Sequence, residues 1–423
     1  MNHFFKKRVI SLVGLGEHLL LSVVGSIGVG ILAGTSSAIF LILLDKATAW
    51  REANIWIIAF LPIAGFLIGW IYHYWGKELS KGNNYILEEF YTPQKTIPLR
   101  MTFLVLIGTL LTHLFGGSAG REGTAVQMGS SLADQISKWF RLSSRYRRYL
   151  LIMGVSAGFG SVFGTPLAGA FFALEVFKIG KIRYDAILPS FLAAFVGDYV
   201  CDAWNVTHTH YAIENIPKLT IFNLCWALVA GICFGGVARL FAELSHFWSR
   251  IFKYILYPPF RPLLGGFLIA IFVFVSGSTR YVGLGIPVIM SSFSEESYFY
   301  DFFAKTLLTT FTLGAGFKGG EVTPLFFVGA TLGNTLSTWI PLGRSLLAGM
   351  GFAAVFAGAT HTPIACLLMA IEIFGAQGST YFGIACVTAY VFSGHSGIYT
   401  SQMIGVAKHR YSVKWVGKKI GEI

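Results

Sequence analysis

Long stretches of the chain carry no Asp, Glu, Lys or Arg, among them residues 19–44, 53–76, 101–120, 149–174, 219–238, 262–279, 322–343 and 345–371. Crossing a bilayer takes about 20 apolar residues in helical form, and these stretches meet or approach that length. The pattern predicts an all-α polytopic membrane protein. The first stretch is too long for a signal-peptide core and lacks a convincing cleavage site. Glycine-rich breaks precede apolar stretches at 116–123, at 314–320 and at Gly82. Non-helical backbone at membrane depth is tolerated only where it lines a cavity or is buried in protein. Each break also presents helix N-terminal N–H groups and the positive end of a helix dipole, which attract anions. The plainer reading is that these glycines let helices pack closely.

The two halves of the chain resemble each other. Gly120-Arg121-Glu122-Gly123-Thr124, continuing through Gly129, Leu132, Ser137 and Trp139, matches Gly320-Glu321-Val322-Thr323-Pro324, continuing through Gly329, Leu332, Ser337 and Trp339, at a constant offset of 200. The match resumes at an offset of 197, where Met153, Gly154, Thr165, Pro166, Ala168 and Glu175 pair with Met350, Gly351, Thr362, Pro363, Ala365 and Glu372. Upstream, 82–86 lies about one repeat before 283–287. Two homologous halves are a transporter plan, with the site expected at their interface near the bilayer midplane. We take 1–423 as one membrane transport domain, with a first half at 17–205, a second at 215–407 and a basic tail at 408–423.

Composition agrees: 54% of residues are hydrophobic and 12% charged, against about one-quarter charged in soluble domains. The mean hydropathy is +0.65. The 32 Lys and Arg against 20 Asp and Glu give a net charge of +12. These cations are scattered between apolar stretches rather than gathered on a polar domain, which argues against nucleic-acid binding. They read as cytoplasmic anchors, and Lys6, Lys7 and Arg8 at one end, Lys408, Arg410, Lys414, Lys418 and Lys419 at the other, and Lys138, Arg141, Arg145, Arg147 and Arg148 between them place both termini in the cytoplasm. The cysteines Cys201, Cys225, Cys233, Cys366 and Cys386 lack metal-ligand spacing and read as small buried residues.

Glu122, Glu175, Glu321 and Glu372 adjoin apolar stretches. Intramembrane carboxylates are costly and are often proton relays. Glu122 falls at a presumptive helix start, where dipole and backbone donors stabilise its anionic form. A carboxylate there occupies the place of an anion, and once protonated it can leave, so anion entry and proton uptake compete. Glu175 and Glu372, at matched positions, suggest packing or capping. An embedded enzyme would need a catalytic cluster, and His113, His361 and His395 have no metal-ligand spacing. No enzyme activity, catalytic residue, metal or cofactor is expected.

Gly-Arg-Glu-Gly at 120–123, Gly-Thr-Pro-Leu-Ala-Gly-Ala-Phe-Phe-Ala-Leu-Glu at 164–175 and Gly-Gly-Glu-Val-Thr-Pro at 319–324 resemble the CLC chloride channel and anion/proton exchanger family, in order and over nearly the whole chain. The resemblance implies a homodimer with one anion pathway per subunit, built from inverted halves with many tilted and partial helices. It implies that Glu122 is the gating glutamate, and that Tyr399, near the start of the last helix, closes the inner side of a central site. Chloride-handling members usually place proline where Thr124 stands, serine where Asn83 stands, and an inner proton-transfer glutamate where Val176 stands. Those departures resemble the fluoride/proton antiporter branch of bacteria, and imply fluoride export against inward protons across the inner (plasma) membrane. A chloride channel or chloride/proton exchanger of the same family is the alternative.

Fluoride is small and strongly hydrated, so stripping its water requires replacement donors. On that ground Thr124 would restore a backbone N–H and add a hydroxyl where proline has neither. Asn83 would offer two amide donors, Thr323 a hydroxyl, Val322 a helix-start N–H and Tyr399 a phenolic donor. Valine cannot carry a proton, so Glu321 becomes the candidate for inner proton or fluoride handling.

Overall fold

The computed structural model describes the backbone of residues 2–209 and 211–423, with side chains for these residues other than 2–18 and 21. The N-terminal anchors Lys6, Lys7 and Arg8 lie outside the described side chains. The first half contains α1 (Asn2–Ala53), α2 (Leu61–Trp75), α3 (Asn83–Tyr91), α4 (Arg100–Leu114), α5 (Glu122–Trp139), α6 (Ser144–Phe163), α7 (Pro166–Glu175) and α8 (Ile187–Ala203). The second contains α9 (Ile221–Phe252), α10 (Phe260–Ser276), α11 (Ile286–Ser291), α12 (Asp301–Gly314), α13 (Val322–Leu336), α14 (Arg344–Thr360), α15 (Pro363–Phe374) and α16 (Ser379–Phe392).

The apolar stretches are not all single spans. Among the described residues, four helical segments are long and apolar enough to cross a bilayer: Ser22–Ala53, Ile55–Trp75, Tyr184–Ala203 and Ile221–Phe252. The stretch 149–174 is two helices broken at Gly164-Thr165-Pro166, and 345–371 breaks at His361-Thr362-Pro363. Gly164 and His361, 197 residues apart, both end their helices in the left-handed conformation with φ of 68° and 61°. Proline then opens the next helix at N1, where its missing N–H costs nothing. The repeat thus copies backbone geometry even where glycine gives way to histidine.

Two sets of bonds that join the halves are matched across the repeat. Gly120 N donates to Gly320 O at 2.6 Å, and Gly320 N donates to Gly120 O at 2.7 Å. These residues form an antiparallel bridge between the two breaks. Farther out, Glu175 at the end of α7 accepts from Ile364 N (3.4 Å) and Ala365 N (2.8 Å) at the start of α15. Glu372 near the end of α15 accepts from Leu167 N and Ala168 N at the start of α7, both at 2.8 Å. Each half caps the other's helix, satisfying N–H groups that no intrahelical carbonyl can reach. The reciprocity is what a two-fold relation between inverted halves produces.

Glycine sets the closeness of the core. A Cβ on Gly129 would collide with the Gly154 carbonyl, and one on Gly329 with the Gly351 carbonyl. These matched contacts let α5 approach α6 and α13 approach α14, as small residues do in membranes. Both inner helices are enclosed: 149–162 of α6 and 345–360 of α14 are buried on every side. Outward faces instead expose Ile63, Phe103, Phe267 and Val275, a surface suited to lipid.

Three expectations need correction. No α-helix follows α16, so Tyr399 does not start a last helix. Gly394 with φ of 64° and Gly397 break the chain there, and Tyr399 sits in a turn closed by Gln402 N donating to its carbonyl at 3.0 Å. The segment 408–423 is folded back, with Gly417 N on Ile404 O (2.8 Å), Ile420 N on Gln402 O (3.0 Å) and Gly421 N on Thr400 O (2.8 Å). The two-residue strand β1 (Lys178–Ile179) pairs in parallel with β2 (Met403–Ile404) beside it. Of the cysteines, Cys201, Cys366 and Cys386 are buried, but Cys225 is exposed on α9.

Candidate functional site

Glu122 is the first residue of α5 and has no solvent exposure. Its carboxylate accepts the Thr323 N–H at 3.1 Å, the Thr323 hydroxyl in a short bond, and the Arg121 N–H at 3.1 Å. The Arg121 guanidinium stands 3.7 Å away. Thr323 is the second residue of α13, after Val322. The carboxylate thus lies where two helix N-termini converge, one from each half, and takes donors from both. Such a seat binds any small anion, and here a side chain fills it. Gly120 must lack a side chain, because a Cβ there would lie 2.8 Å from Pro324 and 3.0 Å from the Glu122 carboxylate.

Asn83 opens α3 directly behind this seat. Its amide nitrogen would stand 3.1 Å from a Cβ on Gly123, and its buried carbonyl oxygen has no hydrogen-bond partner among the described residues. Tyr399 is 4% exposed, with its hydroxyl beside the Asn83 amide. Asn84 holds the two segments together by accepting Ser401 N at 2.9 Å. Arg147 fixes α3 from the far side. Its guanidinium meets Asp134 at 2.7 Å, Glu89 at 3.1 Å and the Lys95 carbonyl at 2.6 Å. Arg147 is therefore a buried partner of two carboxylates, not an interfacial anchor.

Thr124 does not face this seat. Its hydroxyl pairs with Thr109 of α4 at 2.7 Å, and its N–H donates to the Arg121 carbonyl at 3.1 Å. In the first turn of α5 its side chain points toward α4, so its hydroxyl and its N–H are both engaged inside the fold.

Two cavities open from Asn83 and Tyr399. One of about 20 Å³ runs among Ile86, Leu87, Val126, Phe172 and Val176. Nothing along that apolar wall can pass a proton. The other, about 130 Å³, is bounded by Lys81, Gln127, Lys318 and Glu321. Glu321 stands at the N-cap position of α13, two residues before Thr323, and its side chain makes no capping hydrogen bond. The structure brings Glu122, Thr323, Asn83, Tyr399 and Glu321 together, and places beside them Lys318 and Gln127, which the sequence reading did not single out. The signal for Lys318 was the mismatch between the halves, since Ser118 occupies the corresponding position. Apart from this site, Asp198, Asp202 and His208 bring ligand atoms within 4.8 Å of one another.

Two matched halves, partial helices that meet between them, and a buried carboxylate held by paired helix N-termini define a membrane transport protein. The chain belongs to the voltage gated chloride channel family, whose profile matches residues 64–394. It is 50% identical over 388 residues to a chloride/fluoride channel protein of Pseudomonas syringae pv. tomato, covering 90% of this chain and 86% of that one. The crystal structure of a CLC-type fluoride/proton antiporter superimposes with a TM-score of 0.88 at 37% identity, over 91% of this chain and 98% of that one. A slow cyanobacterial Cl⁻/H⁺ antiporter shares the fold, with a TM-score of 0.78 at 19% identity over 90% and 96%.

Proposed function

We propose that the protein exports fluoride from the cytosol in exchange for inward protons. The observation that carries this reading is the Glu122 carboxylate held by the N–H and hydroxyl of Thr323. Protonation removes its charge and weakens both bonds, so the side chain leaves and a fluoride takes its donors. Return of the carboxylate expels the ion. One seat serves both species in turn, which is what exchange requires. The donors suit fluoride, whose lost hydration must be replaced by N–H and O–H groups. With Val176 unable to relay protons, Glu321 receives the proton on the inner side.

Charge supplies the orientation. Hydrogen bonds from Arg147 to the Lys95 carbonyl and from Tyr91 to the Phe177 carbonyl, together with the β1–β2 pair, gather three connections and the C-terminal segment on one face. That face carries Lys77, Lys95, Arg100, Lys138, Arg141, Arg145, Arg148, Lys178 and Lys181. The opposite face joins Glu214 to Ser345 and Arg344 to the Ser294 carbonyl, and carries Glu295 and Glu296. The basic face is cytoplasmic by the positive-inside rule. The C-terminus is then cytoplasmic, and we place the N-terminus there too, in a homodimer with one pathway per subunit.

Reconstituted into liposomes loaded with fluoride or chloride, the protein is expected to release fluoride with coupled proton uptake and to release little chloride. Comparable chloride flux would refute the substrate assignment. In Glu122→Gln the side chain is permanently neutral and has no proton to take up or release, so proton coupling is expected to vanish. Undiminished fluoride-driven proton flux in that variant would overturn the mechanism. Unaltered exchange in Glu321→Gln would return Glu321 to a structural role.

A further inference from the structure

The 130 Å³ chamber has a feature that exchange at Glu122 does not require. Lys318 lies in the same break that supplies Glu321. Its ammonium is 4.2 Å from the centre of the Tyr72 ring and 3.5 Å from the Ser80 carbonyl. Among the described residues it has no carboxylate within ion-pair distance, whereas neighbouring Lys81 is neutralised by Glu88 at 2.6 Å. Gln127 reaches the chamber from α5. It is 6% exposed, its amide has no hydrogen bond among the described residues, and it stands 3.3 Å from where a Cβ on Gly82 would lie. Gly82, with φ of 57°, keeps that approach open.

An unpaired cation at membrane depth is costly and marks an ion path. Here the aromatic face and a carbonyl stabilise the ammonium without neutralising it, so its field remains directed into the chamber. The chamber has room for an ion with several waters. The other charged group facing it without a partner is Glu321. With Glu321 ionised the two charges cancel, and with Glu321 protonated the chamber is positive.

We propose that Lys318 gathers fluoride at the inner end of the pathway. Its ammonium holds an incoming, partly hydrated fluoride with the Gln127 amide as second donor, and Glu321 competes with that ion for the ammonium. This rests on the exchange reading above. A proton arriving on Glu321 frees Lys318 and thereby draws fluoride in, so the inward proton summons the outward ion. Lys318 binds the ion at the entrance in this scheme, while the seat of exchange is formed by other groups.

The test is the concentration dependence of fluoride efflux from liposomes containing the full chain. Lys318→Met is expected to raise the apparent KM about tenfold, the lower end of electrostatic focusing effects, with little change in kcat. Lys318→Arg should recover most of the difference. A KM within twofold of wild type in Lys318→Met would overturn the proposal. Should that variant fold poorly, Lys318→Cys modified with a cationic or an anionic methanethiosulfonate compares charges within one folded sample, with treated wild type controlling for the native cysteines. Recovery by the cationic reagent alone supports the role, and equal KM with either reagent overturns it. If wild type moves chloride instead of fluoride, the substrate reading fails, while the same comparison run with chloride still decides what Lys318 does.

Discussion

Thr323 and Thr124 are both threonines in the first turn of a helix at a break, yet they do different work. Thr323 gives its hydroxyl and N–H to Glu122, whereas the Thr124 hydroxyl pairs with that of Thr109. A hydrogen bond to a charged group is worth about 1.5–3 kcal/mol, and about 1.4 kcal/mol is tenfold in rate. Thr323→Val is therefore expected to lower fluoride turnover roughly tenfold, with Thr323→Ser near wild type. Thr124→Val should leave turnover within a few-fold, since the hydroxyl it removes faces α4. Fluoride-electrode traces on the three variants decide the matter, and a larger loss in Thr124→Val than in Thr323→Val would reverse the assignment. Sequence alone could nominate both residues because each stands at a helix start. Which way a side chain points in that turn depends on the neighbouring helix, and Thr109 lies 15 positions away.

At the scale of elements, the repeat was legible because its marks are local. Gly164-Thr165-Pro166 and His361-Thr362-Pro363 break a helix wherever they occur, and the glycines of the central breaks do likewise. The caps were less legible. Glu175 and Glu372 could be matched by position, but their partners lie 190 and 204 residues away, across the other half. In Glu372→Gln one of the two N–H groups at the start of α7 would face an amide nitrogen that cannot accept. The expected cost is about 2 kcal/mol, read as a lower midpoint in thermal unfolding. Lys408 offers a second element-scale test in the folded-back C-terminal segment. It donates to the Tyr390 carbonyl and lies 2.9 Å from His361 Nδ1, and burial pushes its ammonium down to about 6. Its unfolded value is about 10.4, so between roughly pH 6 and 10 the unfolded chain binds more protons and stability rises with pH. Below about pH 6 the penalty of burying the charge is fully present. Amide protection in 403–423, taken relative to each amide's intrinsic exchange rate at the same pH, should therefore be lower at pH 5.5 than at 8.5, and Lys408→Met should flatten the difference.

At the scale of the whole molecule, composition and apolar stretches were sufficient for the membrane class, while the packing that closes the pathway was not readable from them. Gly120 and Gly320 exchange two backbone hydrogen bonds at the centre, and the matched glycine contacts lock α5 to α6 and α13 to α14. A backbone clasp of this kind cannot open while the halves rock against each other. Alternation must then lie in a carboxylate that turns and an ion that sheds water, neither of which alters the outline the protein presents to lipid. A carrier that rocks reshapes the surrounding bilayer in every cycle, at a cost of fractions of a kcal/mol per ångström of mismatch. This protein should be nearly indifferent to that elastic load, so fluoride flux per folded molecule is expected to change little between membranes of short and long acyl chains. The bilayer would then act on it as insulation rather than as a spring.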